Sequence, residues 1–227
     1  MIEIKDLTLK YGGRKVLENL NLTLEKGRIV GLVGVNGSGK STLMRVIAGL
    51  EKNYLGEVLI EGKSPGEHTN DMISYQPDHL PFDDSMKVDD VGKIYGKFYK
   101  DFDTSRFFLL LEKFSIDRNL KLKECSKGMK DKVQIAASLS RRCAIYLLDE
   151  PMTGIDPKAR KTMLETIIEN FDYEGLLLIS THLISEIERI LDQVIFIDDG
   201  KIIIDKTIDE IREERHMSVE DYFTEVL

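Results

Sequence analysis

Residues 27–50 read GRIVGLVGVNGSGKSTLMRVIAGL, and the order of their parts decides the fold. An apolar run over 29–33 has the texture of a buried strand, a glycine-rich loop follows, and the residues after Lys40 carry apolar side chains at helical spacing. Within this stretch GVNGSGKST at 34–42 matches G-x-x-x-x-G-K-[ST] in the context the motif requires, after a strand and opening a helix. Gly34, Gly37 and Gly39 let backbone N–H groups turn inward around phosphates, with Asn36 and Ser38 between them, and the helix N-terminus adds a favourable dipole. Lys40 reaches the β- and γ-phosphates, the Ser41 hydroxyl ligates magnesium, and Thr42 ends the motif. The other reading of such a loop, taken alone, is a strand-to-helix turn with no ligand.

A triphosphate site of this kind needs a second acidic element. AIYLLDEP at 144–151 supplies it, as a buried apolar strand ending in Asp149 and Glu150 at the carboxyl edge of a sheet, where ligands bind in open α/β folds. Asp149 suits the surroundings of the metal, and Glu150 suits a base that polarises the attacking water. An Asp-Glu pair after a strand is by itself more often a solvated strand end; the phosphate loop shifts the balance toward catalysis.

Outward from these two elements the chain alternates strands with helices, which predicts an α/β core with a mostly parallel sheet. Residues 2–9 and 16–24 alternate apolar and polar side chains like strands, joined by YGGRK at 11–15, and 56–62 and 71–75 read as further short strands. From about 78 to 141 the alternation stops and aromatics and leucines recur at helical spacing, as in SRFFLLLEKF, so this stretch is a helical insertion. Strand texture resumes at 144–150, 175–181 and 193–200, and MSVEDYFTEVL at 217–227 reads as a short amphipathic helix.

The bulk properties narrow the function. A chain of 227 residues with 42% hydrophobic and 32% charged residues suits a soluble globular domain with a full core. A net charge of -8 argues against a nucleic-acid partner. Cys125 and Cys143 have neither redox-pair nor zinc spacing. The N-terminus lacks the plan of a signal peptide, and the longest apolar runs fall far short of the roughly 18 residues of a membrane span. Any spanning would then fall to another chain.

With these residues in place the chain resembles the nucleotide-binding domain of an ABC transporter over nearly its whole length. The resemblance implies a P-loop NTPase core with a mostly parallel sheet, an antiparallel β portion near the N-terminus and a helical subdomain inserted over about 78–141, the whole of 1–227 forming a single such domain. Tyr11 stands where the family places an aromatic that stacks on adenine. Gln76, in ISYQPD, matches the glutamine that touches magnesium or water and senses the γ-phosphate. Asp156, in TGIDP at 153–157, matches the D-loop acid, though it also suits a helix N-cap. His182, in LLLISTHL, matches the switch histidine that contacts the γ-phosphate and positions Glu150. The metal would be Mg2+, held through Ser41, Gln76 and Asp149.

The family's signature, usually Leu-Ser-Gly-Gly-Gln, reads Cys125-Ser126-Lys127-Gly128-Met129. Ser126 and Gly128 keep the groups that meet the γ-phosphate of a neighbouring subunit. Lys127 replaces a glycine; it would be strained if the position needed a positive φ, and would otherwise add attraction for phosphate or point into water. Met129, Val133 and Ala136 share a packing face, and Lys130 and Lys132 extend into solvent. The resemblance further implies ATP as ligand, hydrolysis in a homo- or heterodimer, and a separate membrane permease whose coupling helix enters a groove near Gln76. The chain would sit at the cytoplasmic face of the membrane and act in export rather than import. A different class of function, an ATP-binding regulatory or assembly protein with little turnover, is disfavoured by the carboxylate at Glu150.

Overall fold

The chain opens with two long strands, β1 (Ile2–Tyr11) and β2 (Arg14–Leu24), turning through Gly12 and Gly13, which take φ of 55° and 87°. The computed structural model describes residues 1–215 and 217–226. Strand β3 (Arg28–Val33) runs into the glycine-rich loop and α1 (Lys40–Ile47), followed by β4 (Tyr54–Ile60) and β5 (Ile73–Gln76). The stretch predicted as helical holds α2 (Val88–Phe98), α3 (Thr104–Lys113) and α4 (Lys127–Leu139). Next come β6 (Ile145–Asp149), α5 (Pro157–Asn170), β7 (Leu176–Thr181), the short α6 (Ile184–Ile187) and β8 (Gln193–Asp198). Strand β9 (Lys201–Thr207) and helices α7 (Ile208–Arg215) and α8 (Val219–Val226) finish the described chain.

The strands form two sheets. One is antiparallel with order β2-β1-β4; the other has order β5-β6-β7-β3-β8-β9 and is parallel except for its last pair. The middles of the parallel strands β3, β6, β7 and β8 are apolar on both faces because both faces of the sheet are covered, and polar residues gather toward their ends. Along β3, Ile29 and Val33 face the side packed by the helices that carry Phe107, Leu111 and Val133, whereas Val30 and Leu32 face the side packed by α1 and the antiparallel sheet through Leu43, Met44 and Leu7. The architecture is α/β with a P-loop NTPase core and an added antiparallel sheet.

Three details differ from the sequence reading. Residues 70–72 form a single 3-10 turn, so the strand predicted at 71–75 begins at Ile73, and the strand predicted at 56–62 runs from Tyr54 to Ile60. Strand β9 was not anticipated. It pairs antiparallel with β8 through Asp199 and Gly200, at φ 41° and 74°, a two-residue turn whose Asp-Gly signal was already present in the sequence. The predicted terminal helix is α8, with Tyr222 tilted against Phe196 and Phe223 meeting it edge to face; Leu227 lies outside the described residues.

The helical stretch is fastened to the sheet beside Gln76. Arg141, only 2% exposed, donates from Nε and Nη2 to the Asp101 carboxylate at 3.1 Å and from Nη1 to Ile73 O at 2.6 Å, with its guanidinium 3.9 Å from the Tyr99 ring centroid. Gln134 on α4 donates to Pro77 O and His79 O at 2.9 and 3.1 Å, bracing the chain just after β5.

Candidate functional site

Four strand ends converge at the carboxyl edge of the parallel sheet. The register pairs Val33 with Thr181, Asp149 with Ser180 and Gln76 with Leu148, so the phosphate loop, the acidic pair, Gln76 and His182 emerge side by side. In the loop Gly37 and Gly39 take φ of 84° and 113°, and Gly39 precedes the first helical residue, Lys40. Gly34 is required for a different reason: a Cβ there would lie 2.2 Å from Ile197 O and 2.6 Å from Ser38 Oγ. Asn36 is exposed at the tip, while Ser38 and Thr42 are buried.

Lys40 is folded onto its own loop. Its Nζ donates to Gly34 O at 2.7 Å and Val35 O at 3.1 Å and lies 3.4 Å from Glu150 Oε1. The acids are held by a residue that the sequence reading did not single out. Ser180, fully buried on β7, donates from Oγ to Asp149 Oδ1 at 2.6 Å and accepts the Glu150 N–H at 2.9 Å. Burial raises the Asp149 pKa, and hydrogen bonds from Ser180 and Ser41 oppose that rise. The strand pairing of Ser180 with Asp149 was the signal that could have found it, but sequence alone does not reveal which strands are neighbours.

Glu150 leaves the strand with φ 46°, in the left-handed region that costs a non-glycine residue on the order of 1 kcal/mol. Its Oε2 lies 2.9 Å from His182 Nδ1 and accepts from Thr153 Oγ1 at 3.0 Å. Among the described residues, Ser38 Oγ, Gln76 Oε1, Asp149 Oδ2 and Glu150 Oε1 are buried with no hydrogen-bond partner. Buried polar atoms are rarely left without a hydrogen bond, and three at one edge beside Glu150 Oε1, which faces only the Lys40 ammonium, point to a bound polar group.

The remaining candidates lie outside this cluster. Tyr11 is 44% exposed and its hydroxyl donates to Glu51 at 2.7 Å. Asp156 caps α5, accepting from the Ala159 N–H at 3.0 Å. Ser126 caps α4 in the same way, accepting from the Met129 N–H at 3.2 Å. Lys127 is the first residue of α4 and is absent from the positive-φ positions, so its backbone is not strained; its side chain lies across Gly154, 3.3 Å from where a Cβ would stand. Gly128 faces Ile155. Met129, Val133 and Ala136 join the apolar core as expected, but Lys130 does not extend freely into solvent, because its Nζ pairs with Asp84 at 2.5 Å.

The comparisons agree with this geometry. The ABC transporter family profile matches residues 17–153. The chain is similar to the lantibiotic transport ATP-binding protein SrtF of Streptococcus pyogenes, at 35% identity over 218 residues, covering 92% of each chain. It is similar to a solved ATP-binding subunit of an ABC transporter, at 29% identity and a TM-score of 0.88, covering 100% of this chain and 99% of the other. A dimeric ATP-binding cassette solved after hydrolysis with ADP and Pi shares the fold, at 23% identity and a TM-score of 0.80 over 91% of this chain and 98% of the other. With a phosphate loop, an acidic strand end and a histidine meeting at one sheet edge, the chain belongs to the ABC transporter family as an ATP-binding ATPase.

Proposed function

We propose that this chain hydrolyses ATP to drive export through a separate membrane permease, working in a pair of ATP-binding domains. One observation carries the hydrolytic reading: Glu150 Oε1 is buried, has no hydrogen-bond partner among the described residues, and faces Lys40 Nζ at 3.4 Å while Oε2 is held by donors. In this reading Lys40 exchanges the Gly34 and Val35 carbonyls for the β- and γ-phosphates. Glu150 takes a proton from water as the water oxygen bonds to the γ-phosphorus. The bond from that phosphorus to the bridging oxygen breaks, its electron pair leaves with ADP, and Glu150 then returns the proton to phosphate. His182 and Gln76 hold the γ-phosphate and the water in line, Tyr11 stacks on adenine, and the backbone N–H groups of Gly37, Ser38 and Gly39 cradle phosphate.

The same edge fits a divalent cation. Asp149 Oδ2 and Gln76 Oε1 are oxygens without hydrogen-bond partners among the described residues, and Ser41 lines the same cleft as Asp149. Mg2+ held by Ser41, Gln76 and Asp149 would neutralise phosphate charge.

Partners are supported by separate features. The dimeric cassette of the same fold supports pairing, in which Ser126, Lys127 and Gly128 of one chain meet the ATP of the other. A cleft of about 980 Å³ runs from Ser41 and Asp149 to Tyr95 and Phe98, with Phe98 73% and Leu50 65% exposed, which suits the coupling helix of a permease. No helix among the described residues is long and apolar enough to cross a membrane; the peripheral place at the cytoplasmic face is carried over from the family resemblance. The relative named for lantibiotic transport supports a transport role, and export is the direction carried over from the family resemblance. Glu150→Gln tests the reading: ATP affinity is retained, an ATP-dependent dimer accumulates, and turnover falls roughly 100-fold or more. Unchanged turnover rejects the assignment. Purification from the native membrane is expected to recover a polytopic partner, and recovery of soluble proteins alone counts against transport.

A further inference from the structure

We propose that Thr153 is a positioning residue, which decides which oxygen of Glu150 receives the proton of the attacking water. The inference rests on the reading of Glu150 as the base. Two oxygens of one carboxylate are chemically equivalent until their surroundings distinguish them. Here Oε2 accepts from Thr153 Oγ1 at 3.0 Å and lies 2.9 Å from His182 Nδ1, whereas Oε1 is buried and has no hydrogen-bond partner among the described residues. A single donor would leave the carboxylate free to rotate and exchange its oxygens. Two donors converging on Oε2 fix the torsion and leave Oε1 directed at Lys40 Nζ, 3.4 Å away, on the side of the phosphate loop.

The local chain explains how a residue only three positions on can reach back. Glu150 takes φ 46°, and the Thr153 N–H donates to Glu150 O at 3.3 Å, closing a tight turn through Pro151. The turn returns the Thr153 hydroxyl to the carboxylate of the residue that opens it. The next residue, Gly154, lies under the Lys127 side chain, so the turn is backed by the segment that opens α4. His182 is 39% exposed and reaches Oε2 from the end of another strand, and Thr153 supplies the second point of attachment from within the same turn.

The test separates a hydroxyl that orients the base from one that only closes a turn. Turnover, KM, nucleotide Kd and thermal stability are measured for Thr153→Val, Thr153→Ala, Thr153→Ser and Glu150→Gln in the full chain. Val and Ala are expected to lower kcat about tenfold, or about 1.4 kcal/mol, with KM and Kd for ATP within about twofold of the parent. Ser, which keeps the hydroxyl, is expected to recover kcat to within about threefold. Should Val fail to fold, Ala carries the same comparison. Turnover within twofold of the parent for Val or Ala, or an equal loss in Ser, overturns the role of Thr153 while a dead Glu150→Gln leaves the base assignment standing. Full turnover in Glu150→Gln overturns the base assignment and this inference with it.

Discussion

Asp131 makes stability depend on pH in a direction opposite to that of most carboxylates. It lies in the second turn of α4, is 5% exposed, and its Oδ2 has no hydrogen-bond partner among the described residues. Burial pushes its pKa from the ordinary 3.8 to about 7, and Lys127, one turn earlier, only partly opposes the rise. Because the folded state then binds more protons than the unfolded chain, stability falls as pH rises from about 4 to about 7 and is level above that. At no more than about 1.36 kcal/mol per pH unit, the full loss approaches ~4 kcal/mol, of which roughly 2.3 kcal/mol falls between pH 5 and 7. Asp131→Asn keeps the shape and removes the titration. Urea denaturation of both proteins at pH 5, 6, 7 and 8.5 isolates the effect, since the other groups titrate alike in each. The variant is expected to gain on the parent steadily up to pH 7, by ~2 kcal/mol or more, equivalent to roughly 4–8 °C in Tm for a chain of this size. A difference between the two proteins that stays constant with pH would refute the reasoning.

Three further outcomes follow from the geometry. Lys40→Ala is expected to weaken ATP binding at least tenfold in a fluorescence titration while changing AMP binding little, because the ammonium would leave the Gly34 and Val35 carbonyls for the β- and γ-phosphates, which AMP lacks. Asp101→Ala leaves the Arg141 guanidinium buried without its carboxylate and is expected to cost about 3–5 kcal/mol by denaturant titration, whereas Asp101→Ala with Arg141→Met recovers most of that loss. Lys127→Gly is expected to lower steady-state ATPase by about twofold or more, since it removes a cation assigned to the partner's ATP and, the Lys127 backbone being ordinary helix, relieves no strain; a several-fold rise would show that the lysine impairs the signature.

The phosphate loop and the strand ending in Asp149 and Glu150 were legible because their cues are local. Glycine spacing, an apolar run and the first helical turn all lie within a few residues of one another. The antiparallel β9 is only half legible in sequence: Asp199-Gly200 signals a hairpin, yet the apolar residues 202–204 lack clean alternation. Lys127 is the opposite case, since its identity suggested a damaged glycine position and only the observed φ removed the strain.

By itself the sequence determined the order of elements, the residues able to cradle phosphate and the acids able to act on it, because these depend on side-chain chemistry at short spacing. Tertiary structure alone decided which of them meet. Ser180 reaches Asp149 and Glu150 only because β7 pairs with β6, and Arg141 reaches Ile73 only because α4 packs on β5. Such contacts join residues some 30 to 70 positions apart. They arise from burying both faces of a parallel sheet, a condition that the whole chain satisfies and no short stretch encodes.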